Sequence, residues 1–138
     1  MSWHSGKRFR RIRSENVDEL LNSTNANEQV RRILKESPPI LSFRRLDETT
    51  FNFILQTNDK YFSCVFKLGQ EQEFERRDGS KIKVIYQLVN DSVMKQTIKM
   101  PDGKTAYFTR EFTEKETKMT VQLEGSDVIA TIYYEVVE

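Results

Sequence analysis

Tyr107-Phe-Thr-Arg-Glu-Phe112, Met119-Thr-Val-Gln-Leu123 and Val128-Ile-Ala-Thr-Ile-Tyr-Tyr134 follow one another toward the end of the chain, each alternating apolar with polar residues. A period of two is that of a strand with one face buried. The pattern extends upstream through Phe51-Asn-Phe-Ile-Leu55, Phe62-Ser-Cys-Val-Phe66 and Ile82-Lys-Val-Ile-Tyr-Gln-Leu88. Between these runs stand Asn58-Asp59, Asp78-Gly79, Asn90-Asp91, Pro101-Asp102-Gly103 and Gly125-Ser126, residues that accept turn conformations which β-branched side chains resist. Short strands at even spacing from about Leu41 onward predict one antiparallel sheet. Closing that sheet on itself removes its edges and leaves an interior that is either filled or hollow.

The segment before Leu41 reads differently. Trp3 to Arg13, with Phe9 and Ile12 set among basic residues, predicts a first strand with a bulge. Val17, Leu20 and Leu21, then Val30, Ile33 and Leu34, have helical spacing, so Asn16–Leu21 and Asn27–Lys35 predict two short helices. Ser14 or Asn16, and Asn25 or Asn27, are candidate N-caps, and Pro38-Pro39 ends the second helix. Helices this short do not persist alone and must lie on the sheet. The expected architecture is all-β, one strand, a helical pair over about residues 16–36, then about nine strands. The 138 residues have room for one domain.

With 22 basic and 21 acidic residues the formal charge is +1, so no global field draws the chain to nucleic acid or an anionic membrane. The single cysteine, Cys64, cannot form an intramolecular disulfide and reads as a packed thiol on a strand. No apolar stretch reaches signal-peptide or membrane-span length, and the expected setting is the cytoplasm, with the nucleus open to a chain of this size. His4 is the sole histidine, so neither a Ser-His-acid or Cys-His constellation nor the usual nitrogen and sulfur metal ligands can be assembled. No glycine-rich phosphate loop is present. No enzyme activity, metal or cofactor is expected; a small enzyme would need a perturbed titratable group and would have only Arg110, Tyr134 and Tyr86 to draw on.

In their order and spacing, several motifs resemble the intracellular lipid-binding proteins, the fatty-acid-binding and cellular retinoid-binding proteins of the calycin group. They are Ser5-Gly6 followed by an aromatic, Ser14-Glu-Asn-Val-Asp-Glu-Leu-Leu21, Phe66-Lys-Leu-Gly-Gln-Glu71 with Phe74, Asp78-Gly-Ser-Lys-Ile-Lys83, Asp102-Gly-Lys104 leading to Thr109-Arg-Glu-Phe112, and Thr131-Ile-Tyr-Tyr-Glu135. The resemblance spans nearly the whole chain. It implies a ten-stranded, up-and-down, clam-like barrel of two near-orthogonal sheets, a helical lid, and a cavity for one long-chain lipid. In many members two arginines and a tyrosine on the last strands hold the lipid carboxylate. Arg110 falls on the first arginine and Tyr134 on the tyrosine, but the second arginine is replaced by Ile132. The chain also has one extra residue near Arg11, one near Asp47 to Thr50 and two at Gly125-Ser126-Asp127. Val17 stands where the signature has an aromatic, and Asp59 stands at the portal-loop phenylalanine.

Alternation puts Phe108, Arg110 and Phe112 on one face. A guanidinium cannot shed its charge, so on an apolar face Arg110 is either a ligand clamp or the outer residue of a strand of opposite polarity. Met119, Val121 and Leu123 would line the same interior, as cavity wall or as core. An inward Tyr134 needs a polar partner, either the ligand or backbone and water. With one arginine only, head-group selectivity should be loose, admitting acylglycerol-like, retinoid or sterol-like ligands beside a fatty acid.

Lys7-Arg-Phe-Arg-Arg-Ile-Arg13 carries five basic residues in seven. It reads as a solvated strand face, a nuclear-import patch or a contact for acidic phospholipid. The resemblance places Arg31-Arg32 in the region that serves membrane collision and nuclear import. The expected function is therefore a monomeric lipid carrier, making transient membrane contact and delivering its cargo to membranes, enzymes or a nuclear receptor. The competing reading is a barrel repurposed for protein or nucleic-acid binding through Lys7–Arg13 and Arg31-Arg32.

Overall fold

The computed structural model describes residues 6–23, 40–56, 61–75, 81–90, 92–100 and 103–137. Their elements are β1 (Arg8–Glu15), α1 (Val17–Ser23), β2 (Ile40–Arg45), β3 (Thr50–Gln56), β4 (Tyr61–Lys67), β5 (Gln72–Glu75), β6 (Lys81–Asn90), β7 (Val93–Lys99), β8 (Thr105–Phe112), β9 (Glu116–Leu123) and β10 (Ile129–Val137). One continuous sheet has the order β4-β3-β2-β1-β10-β9-β8-β7-β6-β5, with antiparallel pairing at every step. Sequential strands are neighbours except β4 and β5, and the first pairs with the last.

Rings from strands far apart in this order meet inside. Phe43 of β2 lies 6.0 Å from Phe112 of β8, and Phe66 of β4 stacks at 3.6 Å on Tyr86 of β6. Contacts of that kind require the sheet to curl back on itself, and it does so into a nearly closed barrel. A seam remains between β4 and β5, the two ends of the sheet. Two links span it. Gly69, at a φ of 74°, donates its N–H to the Tyr86 carbonyl at 2.7 Å. The Gln72 side chain accepts from the Lys67 N–H (3.3 Å) and donates to the Val65 carbonyl (3.4 Å), so its amide stands in for a peptide group of the missing strand partner.

The expected alternation is realised on the later strands. Ala106, Phe108, Arg110 and Phe112 on β8, Thr117, Met119, Val121 and Leu123 on β9, and Ala130, Ile132 and Tyr134 on β10 are all buried. Fully burying a side chain of the size of Leu or Phe contributes about 1.5–3 kcal/mol, so this shared face, with the buried rings of β1 to β4, holds the barrel together.

α1 turns Val17, Leu20 and Leu21 onto the barrel end. Asn16 precedes it at a φ of 61°, and its carbonyl accepts the first helical bond from Leu20 at 2.9 Å. Its side-chain amide donates to the Ile129 carbonyl of β10 instead of capping the helix, a departure from the capping expected. Ser23 Oγ pairs with Ser126 Oγ in the β9–β10 turn. The lid therefore hangs on β10 at the end opposite the 46–49 and 113–115 turns. The second predicted helix, Asn27–Lys35, with the caps Asn25 and Asn27, lies outside the described residues, as do His4, Asp59, Arg31 and Arg32.

Candidate functional site

Arg110 projects from the middle of β8 into the barrel and keeps 6 % of its surface exposed, which excludes the outward alternative. Its guanidinium lies 5.3 Å from the Phe43 ring centroid and 5.9 Å from that of Phe53. Nη1 donates to Gln96 Oε1 at 2.6 Å, and Gln96 Nε2 donates to the Tyr86 hydroxyl at 3.0 Å. Because Gln96 pairs with Tyr86 on one side and Phe108 on the other, this relay crosses three adjacent strands at nearly one level of the barrel.

The relay is neutral beyond Arg110. Among the described residues no carboxylate pairs with the guanidinium, and its Nε, though buried, has no hydrogen-bond partner. Burial pushes the Arg110 pKa down from its ordinary value, partly offset by the nearby phenols of Tyr86 and Tyr134. Burial likewise pushes the Tyr86 phenol up, with Arg110 and Gln96 acting against it. A buried charge without a counter-charge is costly, and an entering anion would relieve that cost.

Around the cation the wall is aromatic. Phe43 stacks on Phe53 at 4.7 Å and meets Phe66 at 6.3 Å, Phe51 lies parallel to Phe66 at 5.6 Å, and Phe9 packs on Phe112 at 5.8 Å. Rings from five strands thus surround the end of the interior remote from α1. Phe108, Met119 and Val121 are each buried on the Arg110 face, and Tyr134 is buried opposite Thr117. Thr117 Oγ1 is a second buried polar atom without a partner. Ile132, at the position of the missing arginine, is fully buried against Met119 and is part of the apolar wall.

Two polar members of this set went unread in the sequence. Gln96 sits between Met94 and Ile98 on the inward face of β7, where Val93-Met-Lys-Gln-Thr-Ile-Lys99 alternates too weakly to mark a strand face. Thr117 lies at the start of β9, just before the apolar alternation there becomes legible. Cys64, next but one to Phe66 on β4 and opposite Phe53, is partly buried, and that burial raises its thiol pKa, in keeping with a packed thiol.

The basic run of β1 is mostly engaged on the outer surface. Arg10 pairs with Glu135, and Arg13 pairs with Glu15 at 2.9 Å and lies 3.8 Å from the Tyr133 ring. These ion pairs offset Arg10 and Arg13, two of the basic residues that the interaction-protein reading invokes.

Comparison with known proteins agrees with this geometry. No protein-family model matches the chain. Cellular retinoic acid-binding protein 1 of Gallus gallus is 31 % identical over 125 residues, covering 88 % of this chain and 89 % of that protein. The chain belongs to the intracellular lipid-binding proteins. Another relative in this family, fatty acid-binding protein 1 of Manduca sexta, is 29 % identical over 131 residues, covering 94 % and 96 % of the two chains. Among solved intracellular lipid-binding proteins, the Schistosoma mansoni fatty acid binding protein in complex with arachidonic acid superposes with a TM-score of 0.77 and 26 % identity, covering all of this chain and 98 % of the other.

Proposed function

We propose that this chain is a carrier for one long-chain lipid carboxylate, a fatty acid or a retinoid acid, held inside the barrel with its head group at Arg110. The observation that carries the reading is the buried guanidinium with no carboxylate paired to it among the described residues. The relatives support the chemistry, because those named above are a retinoic acid-binding and two fatty acid-binding proteins.

The energetics divide between chain and head group. Burying an alkyl chain is worth roughly 0.8 kcal/mol per methylene, whereas a charge-assisted hydrogen bond contributes about 1.5–3 kcal/mol net. Over sixteen or so carbons the tail supplies most of the affinity, and Arg110 supplies orientation and the preference for an acid. The reading involves no chemical step. Release to membranes, enzymes or a nuclear receptor, in the cytoplasm or nucleus, extends it and rests on family membership; the membrane contact would fall to Arg31 and Arg32.

Native mass spectrometry before and after delipidation, followed by displacement of a fluorescent fatty acid, tests the proposal. A lipid bound one to one and displaced by fatty acid is the expected result. Protein that neither carries a lipid nor takes up the probe would overturn it.

A further inference from the structure

We propose that Arg11 supplies a second cation to the head-group site, from the first strand of the barrel and not from the last. This rests on the carrier reading given above and names a further residue of the same site.

Arg11 is opposed to Tyr134 in the β1–β10 ladder. Directly opposed residues of an antiparallel pair share a face, with Cβ atoms about 4.5–5.5 Å apart, and Tyr134 is interior. Phe9, two residues earlier on β1 and therefore on the same face, is fully buried. Burial along the strand agrees: Arg8, Arg10 and Arg13 are exposed, while Arg11 is half-buried. The ladder shifts register between Arg11 and Arg13, which makes Ile12 the extra residue and returns Arg13 to the outer face opposite Tyr133.

The residues beside Arg11 are those of an anion site. Phe112, Thr117, Tyr134 and Arg11 form one inward row across β8, β9, β10 and β1, each opposed to the next. Arg110 precedes Phe112 by two residues on the same face, and Tyr134 is near enough to act on its charge. The row contains the partnerless Thr117 Oγ1, and the partnerless Arg110 Nε lies beside it. A carboxylate offers about four lone-pair positions, enough to accept from Arg110, a hydroxyl of Thr117 or Tyr134, and Arg11. Ile132 contributes no donor side chain from β10, so the charge lost there is restored across the ladder.

The test is titration of the full chain with oleic acid and with oleyl alcohol, which differ only in the charged group. Arg11→Leu should weaken acid binding by about tenfold or more and leave alcohol binding unchanged. Arg11→Lys should keep part of the acid affinity, and Arg13→Leu should alter neither. If Arg11→Leu does not fold, Arg11→Gln, which keeps the length and hydrogen bonding without the charge, serves for the same comparison. Acid binding equal to that of the unaltered chain overturns the proposal and leaves the carrier reading intact. Equal losses for acid and alcohol also overturn it, because Arg11 then only supports the barrel. If the unaltered chain takes up neither probe, the carrier reading fails and this inference fails with it.

Discussion

Gln96 holds Arg110. Its side-chain oxygen accepts from Nη1 at 2.6 Å while its amide nitrogen donates to Tyr86, so both ends of the glutamine are committed. Replacement by leucine would leave the charge with one fewer acceptor in a buried site. Gln96→Leu is expected to destabilise the lipid-free protein by about 1.5–3 kcal/mol, and saturating fatty acid should recover part of the loss. Urea unfolding with and without oleate measures both.

Arg110→Met separates binding from stability. An unpaired buried charge lowers stability, and an apolar side chain of similar volume is often neutral or better. The lipid-free variant should therefore unfold at the same or higher denaturant concentration, yet bind fatty acid roughly ten- to a hundredfold more weakly. Binding of an alcohol of equal length should be spared. A variant losing stability and both ligands together would make Arg110 a structural residue.

The aromatic wall should behave as core. Phe66 stacks on Tyr86 and lies parallel to Phe51, with no exposed surface. Phe66→Ala is expected to cost about 3–5 kcal/mol, read as a shift in the chemical unfolding midpoint.

Cys64 offers a pH readout. Its pKa is raised in the folded chain by burial. The unfolded thiol therefore loses its proton first as pH rises. Any stability linked to this group is intact below the ordinary thiol pKa of 9.0 and declines as pH climbs through the higher folded value. Alkylation of native protein at pH 8 should be slower than in urea, and slower again with bound lipid, because Cys64 shares a face with Phe66. Lipid-independent labelling would place the thiol outside the ligand's reach.

The Gln72 clasp predicts local protection. Gln72→Ala removes the substitute rung across the seam at a cost of about 0.5–1.5 kcal/mol. The Lys67 amide should exchange faster with solvent while the β8 amides do not change, a contrast visible by hydrogen exchange.

What was legible in the sequence follows from period. Strands such as Thr105–Phe112 and Glu116–Leu123 bury a strict alternate set, so their existence could be read directly, whereas alternation alone left Arg110 as either an inward clamp or an outer residue until its burial decided the face. Gln96 and Thr117 were not legible, because a polar residue on an inward face looks like a break in the pattern until its neighbours are known. Gln72 was hidden for a related reason: its function depends on two strands failing to meet. Arg11 lay within a uniform run of positive charge, where only the strand register tells it apart from Arg10 and Arg13.

The bulge at Ile12 sets how much charge β1 sends inward. In a regular strand Phe9, Arg11 and Arg13 would all point to the interior. The additional residue resets the alternation, so the same basic run delivers one charge inside and lays the next against Tyr133. One insertion or deletion at this point would change the charge of the lumen by a whole unit without altering any residue on the last three strands. The barrel thus carries a phase adjuster in its first strand, far in sequence from the arginine it complements.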